Sequence, residues 1–214
     1  MDSPTMAPEM SPAMALALAA NFGSVLRWRD AFVALARAHD GRSGSVQLSF
    51  RPQQGTLVNQ WAPRQEIAST GNVQVLVLDL NEHRSVDAFM ITVDWDAAYR
   101  RYQHAVHDAS EAAGADADAI AGALLLDVRR AGVFDQAGAM LPGARWRDPS
   151  LVSQWGAELP ADQEIVVYCV YGHEVGRSTA MRLRAIGRKA RYPRGGIDGW
   201  QAAGRPLAAK GAAS

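Results

Sequence analysis

Hydrophobic residues in the first third of the chain follow a helical period and then a strand period. Apolar side chains recur at helical spacing over residues 25–38, which predicts a helix. Residues 46–50 alternate as a strand does, and residues 73–80 are rich in β-branched side chains, which also predicts a strand. The intervening residues 51–72 carry repeated Pro and Gly and are expected to be mostly irregular. Residues 1–24, rich in Pro, Met, Ala and Ser, are expected to form a disordered leader.

Strand-like and helix-like patterns alternate from residue 88 onward. The predicted elements are a strand at 89–93, a helix at 95–110, a strand at 124–128, a helix at 148–159, a strand at 165–168, a helix at 175–186, a strand at 190–192 and a helical turn at 197–203. The strand at 124–128 is almost wholly apolar, which is typical of a parallel sheet buried on both faces. The alternation therefore predicts an α/β fold with a mostly parallel central sheet flanked by helices.

These patterns divide the chain into three parts. Residues 1–24 form the expected leader, residues 25–87 form an α+β segment with no assigned function, and residues 88–210 form the α/β domain. We find no recognisable motif before residue 86, so the candidate chemistry is confined to the third part.

Charge and composition exclude several classes of function. Lys plus Arg equals Asp plus Glu, 22 against 22, so nothing favours nucleic acid or an anionic membrane as a partner. The short apolar stretch at 14–20 follows no basic residue and is not read as a secretory signal, and no run is long enough to span a membrane, so a cytoplasmic location is expected. One cysteine excludes a disulfide framework and a cysteine-rich zinc site. His104 and His107 share a helix face but lack an evident third ligand, so no metal is expected.

The single cysteine, Cys169, lies between a predicted strand and a predicted helix. Ligands of α/β sheets bind beyond the carboxyl ends of the strands. The amides of such a loop and the amino end of the helix direct partial positive charge to one place, which is expected to favour the thiolate and lower the pKa of the cysteine. A thiolate held in this way can take a sulfur atom and pass it to an acceptor, with no cofactor required.

Other interpretations of Cys169 stay open or are disfavoured. An isolated cysteine after an apolar strand is also compatible with a small buried hydrophobe. A cysteine phosphatase would need an arginine six residues after the thiol, where Val175 stands, and Arg177 comes two residues too late. A papain-like protease would need a partner histidine, and His173 is too close in sequence to serve as that base.

Four segments, in order, resemble the rhodanese family of sulfurtransferases. They are Leu124–Arg129 with its Asp-x-Arg ending, Phe134–Ala144 with Pro-Gly-Ala, Ile165–Cys169, and Arg194–Trp200 with Gly-Gly-x-x-x-Trp. The resemblance covers residues 88–210 and implies a rhodanese-like fold. The loop Cys-x-x-Gly-His-Glu is similar to that of a bacterial rhodanese subgroup, part of which is associated with chromate-resistance proteins.

The resemblance implies that Cys169 carries sulfur as a persulfide. The main-chain N–H groups of the loop would cradle that sulfur; the loop residues are Val170, Tyr171, Gly172, His173, Glu174 and Val175. Asp127 and Arg129 would be structural and would tie a strand end to neighbouring loops. The implied partners are a small sulfur donor, either thiosulfate or a persulfide, and a thiophilic acceptor such as a protein thiol.

Three departures from the family pattern bear on the substrate. Ala139 stands where the family usually has histidine, and Val133 stands where some thiosulfate-using members have an anion-binding arginine. Glu174 places a carboxylate near the thiol, which is expected to raise the thiol pKa and repel an anionic donor. The expected function is sulfur transfer, and the alternative is a non-catalytic rhodanese-fold module that binds a partner or senses oxidation.

Overall fold

A computed structural model describes residues 9–64, 71–82 and 85–210 of the chain. Contacts between residues divide the chain into two compact units. The first comprises residues 1–105 apart from 53–55, and the second comprises residues 106–214 together with 53–55. Among the described helices, none combines the length and the apolar composition that crossing a membrane requires.

The first unit combines a three-stranded sheet with helices. Its elements are α1 (Pro12–Phe22), α2 (Val25–Ala38), β1 (Gly44–Arg51), β2 (Thr56–Pro63), β3 (Val73–Asp79), α3 (Val86–Thr92) and α4 (Trp95–Ser110), the last of which runs on into the second unit. The strands pair antiparallel in the order β2-β1-β3. Val46, Leu48 and Phe50 on one face of β1 are fully buried, as the alternating pattern predicts.

Helix α1 occupies part of the segment expected to be a disordered leader. Ser11 caps it, since its Oγ accepts a hydrogen bond from the N–H of Met14 at 3.2 Å. Pro12 stands in the first turn, where a missing N–H costs nothing. Met14 and Leu18 are fully buried. Proline here marks the start of a helix, which corrects the expectation for this helix; the first eight residues lie outside the described part of the chain.

Strand β2 lies in the segment expected to be mostly irregular. It pairs with β1 along its whole length, from Arg51 opposite Thr56 to Gly44 opposite Pro63. Because β2 is an edge strand, Pro63 at its end removes no hydrogen bond that the sheet needs. The expectation is therefore wrong for this strand.

Helix α3 replaces the strand predicted at 89–93. Ser85 caps it by accepting a hydrogen bond from the N–H of Ala88 at 3.3 Å. A short apolar run does not by itself distinguish a strand from a helix, which is why the strand prediction is wrong.

Aromatic side chains of α3 and α4 pack in the first unit. The Phe89 ring stacks on Phe32 with centroids 6.2 Å apart, and Trp95 meets Trp28 edge-on at 5.3 Å. The division between the units therefore falls between residues 105 and 106, later than the predicted start of the α/β domain at residue 88.

The second unit is built on a parallel sheet. Its strands and helices are β4 (Gly114–Ala115), β5 (Leu124–Asp127), α5 (Ala131–Gln136), β6 (Ala139–Met140), β7 (Arg145–Trp146), α6 (Val152–Trp155), β8 (Glu164–Tyr168), α7 (Glu174–Ala185), β9 (Lys189–Pro193), α8 (Gly196–Ala202) and β10 (Ala208–Ala209). The strand order is β4-β9-β8-β5-β7, all pairs being parallel, and β6 and β10 form a separate antiparallel pair. The predicted α/β fold class is confirmed.

The central strands bury both of their faces. The α7 face is formed by Leu126, Val128, Ile165 and Val167, which pack with residues of α6 and α7. The α8 face is formed by Leu125, Val166 and Tyr168, which pack with Leu141 and with Ile197 of α8. This two-sided burial is the reason why the sequences of β5 and β8 are continuously apolar rather than alternating.

Candidate active site

Cys169 is the first residue beyond β8, at the carboxyl edge of the parallel sheet. Its side chain is only 6% exposed, and the thiol donates a long hydrogen bond of 4.0 Å to the carbonyl of His173. Gly176, in the first turn of α7, lies so near that an added Cβ would stand 3.3 Å from Sγ. The sulfur is thus enclosed by its own loop and by the amino end of α7.

The backbone of the Cys169 loop is fastened to the amino end of α8. The N–H groups of Ile197 and Asp198 donate to the carbonyls of Cys169 and Val170, both at 3.0 Å. Gly196 has a φ of +60°, and a Cβ at that position would lie 2.5 Å from the Cys169 carbonyl oxygen. Gly195, with a φ of +78°, precedes it, and these two glycines allow the close approach of the two backbones.

Arg177 of α7 holds the opposite side of the loop. Its Nε donates to the carbonyl of Gly172 at 2.8 Å. Its Nη1 contacts the Ser110 hydroxyl at 3.2 Å and the Glu111 carboxylate at 3.3 Å, and the guanidinium lies 4.5 Å from the centre of the Tyr192 ring. With its hydrogen bonds directed to these groups, Arg177 supports the loop from behind, consistent with its unsuitability as a phosphate clamp.

Opposing influences set the protonation of the Cys169 thiol. Burial raises its pKa and is the largest effect, whereas the backbone N–H of Gly176 lowers it. The charge of Glu174 raises the pKa further, and the N–H groups of Gly172 and His173 lower it. The net pKa is raised, so the expected lowering is wrong in net direction. The loop amides act as expected, but the enclosure of the sulfur outweighs them.

The remaining loop residues lie at different depths. Glu174 begins α7 and is 8% exposed, whereas Tyr171 is 57% exposed and His173 is also open to solvent. The Tyr171 and His173 rings lie 5.6 Å apart and form the outer rim of the loop. Val175 packs against the core of the α7 face. The half-buried Val170 accepts, through its carbonyl, the hydrogen bond from the N–H of Asp198 in α8. Main-chain groups of the loop therefore surround the sulfur, while two aromatic side chains stand at its entrance.

Asp127 and Arg129 form a buried ion pair at the end of β5. The Arg129 Nε lies 3.0 and 2.9 Å from the two Asp127 oxygens, and Nη2 lies 2.5 Å from Oδ2. The Tyr168 hydroxyl donates to Asp127 at 3.0 Å and accepts from the N–H of Leu141 at 3.1 Å. Arg129 also donates to the carbonyl of Ala139 at 2.9 Å. This network ties β5, β8 and the β6 segment together on the α8 face.

Two residues that support this edge of the sheet escaped the sequence analysis. Arg177 was considered only as a failed phosphate ligand, and Tyr168 only as an apolar strand residue. Each lies close in sequence to Cys169, but its partners are tens of residues away, at Ser110 and Asp127 respectively. The tyrosine hydroxyl at the end of an otherwise apolar strand was the one available signal, because a buried hydroxyl requires a partner.

Residues 106–203 match the model of the rhodanese-like domain. With the parallel sheet and the loop at the end of β8, this match defines the class of the second unit. The second unit of the chain therefore carries a rhodanese-like domain, as the resemblance implied. The finer loop subgroup stays a prediction.

Similar solved structures and relatives come from two different groups. A rhodanese-related protein from Thermoplasma volcanium is 24% identical, with a TM-score of 0.36, over 42% of this chain and 88% of its own. A protein of unknown function from Rhodopseudomonas palustris is 22% identical, with a TM-score of 0.42, over 49% of this chain and 92% of its own.

The chain is also similar to curated superoxide dismutases. It is 39% identical to the iron enzyme of Cupriavidus metallidurans, over 45% of this chain and 54% of that protein, and 30% identical to the manganese/iron enzyme of Methylomonas, over 49% and 56%.

The chain thus spans about half the length of the curated relatives that it matches. The names of these curated relatives specify iron or manganese as the metal. Within residues 9–64, 71–82 and 85–210, no group of three or more His, Cys, Asp or Glu side chains is placed to hold a metal ion. The described residues therefore do not provide a site that fits those metals.

Proposed function

We propose that the chain is a sulfurtransferase that carries sulfane sulfur as a persulfide on Cys169. The observation that carries this proposal is the thiol at the end of β8, turned towards the amides of Gly172, His173 and Gly176. Amides directed at one point suit a terminal persulfide anion as well as a thiolate. The rhodanese-like family of the domain supports the same chemistry.

The reaction needs two displacements at sulfur. The Cys169 thiolate attacks the outer sulfur of the donor, the donor's S–S bond breaks, and the leaving group departs with the bonding electron pair. The thiolate of an acceptor then attacks the outer sulfur of the persulfide and releases the Cys169 thiolate. The loop amides stabilise the negative charge on sulfur at both stages.

Thiosulfate and a persulfide are the two donor classes under this proposal, and the acceptor is a small thiol or a protein thiol. Glu174 acts against a dianion, because its charge lies near the thiol whose pKa it raises. We therefore expect thiosulfate to be a weak donor in the native chain and a persulfide of low charge to be a better one. A cytoplasmic location would supply such thiols and keep Cys169 reduced.

The test is to treat the protein with each donor and measure its intact mass. Wild type should gain the mass of one sulfur atom and lose it on addition of an acceptor thiol, whereas Cys169→Ser should gain nothing. The serine hydroxyl is a much weaker nucleophile at neutral pH but nearly the same size, so the variant should unfold at a denaturant concentration close to that of wild type. Absence of a sulfur adduct with both donors would instead favour a non-catalytic module.

A further inference from the structure

The carbonyl groups of the Cys169 loop are held by two different kinds of donor. The carbonyls of Cys169 and Val170 accept hydrogen bonds from main-chain N–H groups of α8. The carbonyl of Gly172 instead accepts from a side chain, the Nε of Arg177, at 2.8 Å. The main-chain N–H of Arg177 donates to the next carbonyl, that of His173, at 3.1 Å. Arg177 therefore binds two successive carbonyls of the loop.

The peptide that joins Gly172 to His173 connects Arg177 with the sulfur. The Gly172 carbonyl and the His173 N–H belong to one trans peptide and point in opposite directions. The His173 N–H is one of the amides that favour the Cys169 thiolate. An arginine that holds the carbonyl on the outside of the loop thus directs the N–H to the inside. Its positive charge also polarises the peptide, which strengthens the N–H as a donor.

The glycine at position 172 makes this peptide easy to rotate. Gly172 has a φ of +69°, in the left-handed region, and it has no Cβ to restrict the peptide that follows. A rotation of that peptide by about half a turn would exchange its two groups and point the Gly172 carbonyl oxygen at the sulfur, where it would repel a thiolate. The hydrogen bond from Arg177 opposes this rotation.

Arg177 is itself held in one conformation. Its Nη1 lies 3.2 Å from the Ser110 hydroxyl and 3.3 Å from the Glu111 carboxylate, and its guanidinium lies 4.5 Å from the centre of the Tyr192 ring. The side chain is only 11% exposed. Because Nη1 makes these contacts, Nε stays directed at the loop, and the planar guanidinium acts as a pre-organised donor.

We propose that Arg177 is the positioning residue of the sulfur site. It holds the Gly172 carbonyl outward, so that the His173 N–H faces the thiolate and, after transfer, the terminal sulfur of a persulfide on Cys169. Arg177 contacts the loop rather than the sulfur, so its effect reaches the chemistry through this one peptide. The inference rests on the proposed sulfur transfer for its role in catalysis, while the positioning itself can be measured on the free thiol.

Two substitutions of equal length separate the hydrogen bond from the charge. In Arg177→Gln, the side-chain NH₂ is as many bonds from the main chain as the arginine Nε, so it can donate to the Gly172 carbonyl. In Arg177→Met, the terminal methyl group takes that place and donates nothing. Both variants lose the positive charge and the contacts with Ser110 and Glu111. A difference between them in the reactivity of Cys169 therefore reports the hydrogen bond to the loop.

The first measurement is the pH profile of Cys169 alkylation by iodoacetamide in the full chain. The thiolate is the reactive form, so the midpoint of the profile follows the pKa of the thiol. We expect Arg177→Met to raise the midpoint by about one pH unit, which is a roughly tenfold loss of thiolate at neutral pH. Arg177→Gln should raise it by less than about a third of a unit.

Arg184→Met is the matched control. Arg184 lies on the same helix, and its Nη1 also donates to a carbonyl, that of Ala190, at 3.3 Å. This variant should keep the wild-type alkylation profile. The charge of Glu174 and the ring of His173 are the same in every variant, so neither contributes to the differences.

Sulfur transfer and thermal unfolding are then measured on the same proteins. The loss of kcat/KM in Arg177→Met should be similar for thiosulfate and for a persulfide donor, because the effect lies at the thiol. The two Arg177 variants should lose similar stability, since they lose the same distal contacts. If Arg177→Met does not fold, Arg177→Leu replaces it, because leucine also lacks a donor. Equal alkylation profiles in the variants with and without the donor, whether shifted or like wild type, would overturn the positioning role.

The two proposals fail in distinguishable ways. If wild type gains no sulfur from either donor but Arg177→Met still shifts the alkylation profile relative to Arg177→Gln, sulfur transfer fails and the positioning role stands. If wild type transfers sulfur and the two variants share one alkylation profile, the positioning role fails and the transfer stands.

Discussion

At the scale of single residues, two opposing effects set the protonation of the Cys169 thiol: its burial and the N–H dipoles around it. The thiol is almost fully withdrawn from water, which disfavours the thiolate, while the N–H groups of Gly176, Gly172 and His173 favour it. The charge of Glu174 adds to the effect of burial. That charge can be removed without changing the shape of the site.

We predict that Glu174→Gln lowers the pKa of Cys169. The thiolate is the reactive form, so the pH profile of iodoacetamide alkylation should move to lower pH, and more thiolate should be present at neutral pH. Thiosulfate transfer should rise roughly five- to tenfold, with a weaker dependence on salt, because a repulsion of about 1 kcal/mol is removed.

Glu164→Gln is the control for this prediction, since Glu164 stands at the opposite, amino end of β8 and is exposed. It should leave both the alkylation profile and the transfer rate unchanged. A loss of activity in Glu174→Gln would show that the carboxylate assists the chemistry, for instance by accepting a proton from a thiol donor.

The buried pair of Asp127 and Arg129 gives a second prediction at this scale. Asp127→Asn leaves the Arg129 charge enclosed without its counter-ion, so the free energy of unfolding in denaturant should fall by about 3–5 kcal/mol. Glu164→Gln breaks the partly exposed pair with Arg191 and should cost less than about 1 kcal/mol. Equal losses in the two variants would mean that the Asp127 network is not a tightly coupled one.

At the scale of elements, strands that are buried on both faces have one sequence pattern and were predicted correctly, whereas elements whose sequence fits two patterns were not. The apolar strands β5 and β8 were predicted correctly, because a strand buried on both faces has few alternatives. Helix α3 was predicted as a strand, since its apolar run is too short to show a period. Strand β2 was missed, because its pairing with β1 depends on residues outside the local window.

The residues of the candidate site also divide into those that a local sequence pattern predicts and those that it does not. Cys169 and its loop were found from a local signal, an apolar strand followed by a cysteine and a helix. Arg177 and Tyr168 also contact residues 41 to 70 positions away in the sequence, which no local pattern contains. The net direction of the thiol pKa was also missed, because burial is a property of the folded unit rather than of the loop sequence.

The close contact between α8 and the Cys169 loop predicts the effect of a substitution at Gly196. Gly196→Ala places a Cβ 2.5 Å from the Cys169 carbonyl oxygen and 2.6 Å from the Gly172 nitrogen, so the loop must separate from α8. We expect sulfur transfer to be lost and the midpoint of thermal unfolding to fall. Gly187→Ala is the matched control, because Gly187 also has a positive φ, +81°, but open space where the Cβ would be. It should lose only about 1 kcal/mol and keep its transfer rate.

At the scale of the whole molecule, the chain consists of two units, and sequence motifs located only the second. The motifs gave no information on residues 88–105, which were assigned to the rhodanese-like domain by continuity. The structure places these residues in the first unit, where Tyr102 packs edge-on against Phe50 at 5.8 Å and Phe89 packs against Phe32. The boundary was misplaced because strand-helix alternation continues across it.

Two truncated chains test this boundary. A chain of residues 106–214 should unfold cooperatively and accept sulfur on Cys169. A chain of residues 86–214 keeps Phe89, Trp95 and Tyr102 but lacks the residues that bury them, so it should bind a hydrophobic dye and aggregate more readily. Near-UV circular dichroism and dye fluorescence distinguish the two. If the longer chain is as soluble and as well folded as the shorter one, these aromatic residues do not depend on the first unit.

The enclosure of Cys169 also determines how the protein responds to peroxide. Conversion of a cysteine to sulfenic acid follows its thiolate character and its accessibility, and in this structure both are low. Cysteines that act as peroxide sensors have the opposite properties. The resting protein should therefore survive oxidative conditions with its thiol intact, and a persulfide projecting further from the loop would be the first form to be oxidised. Damage to the protein would then depend on how long it holds sulfur before an acceptor removes it.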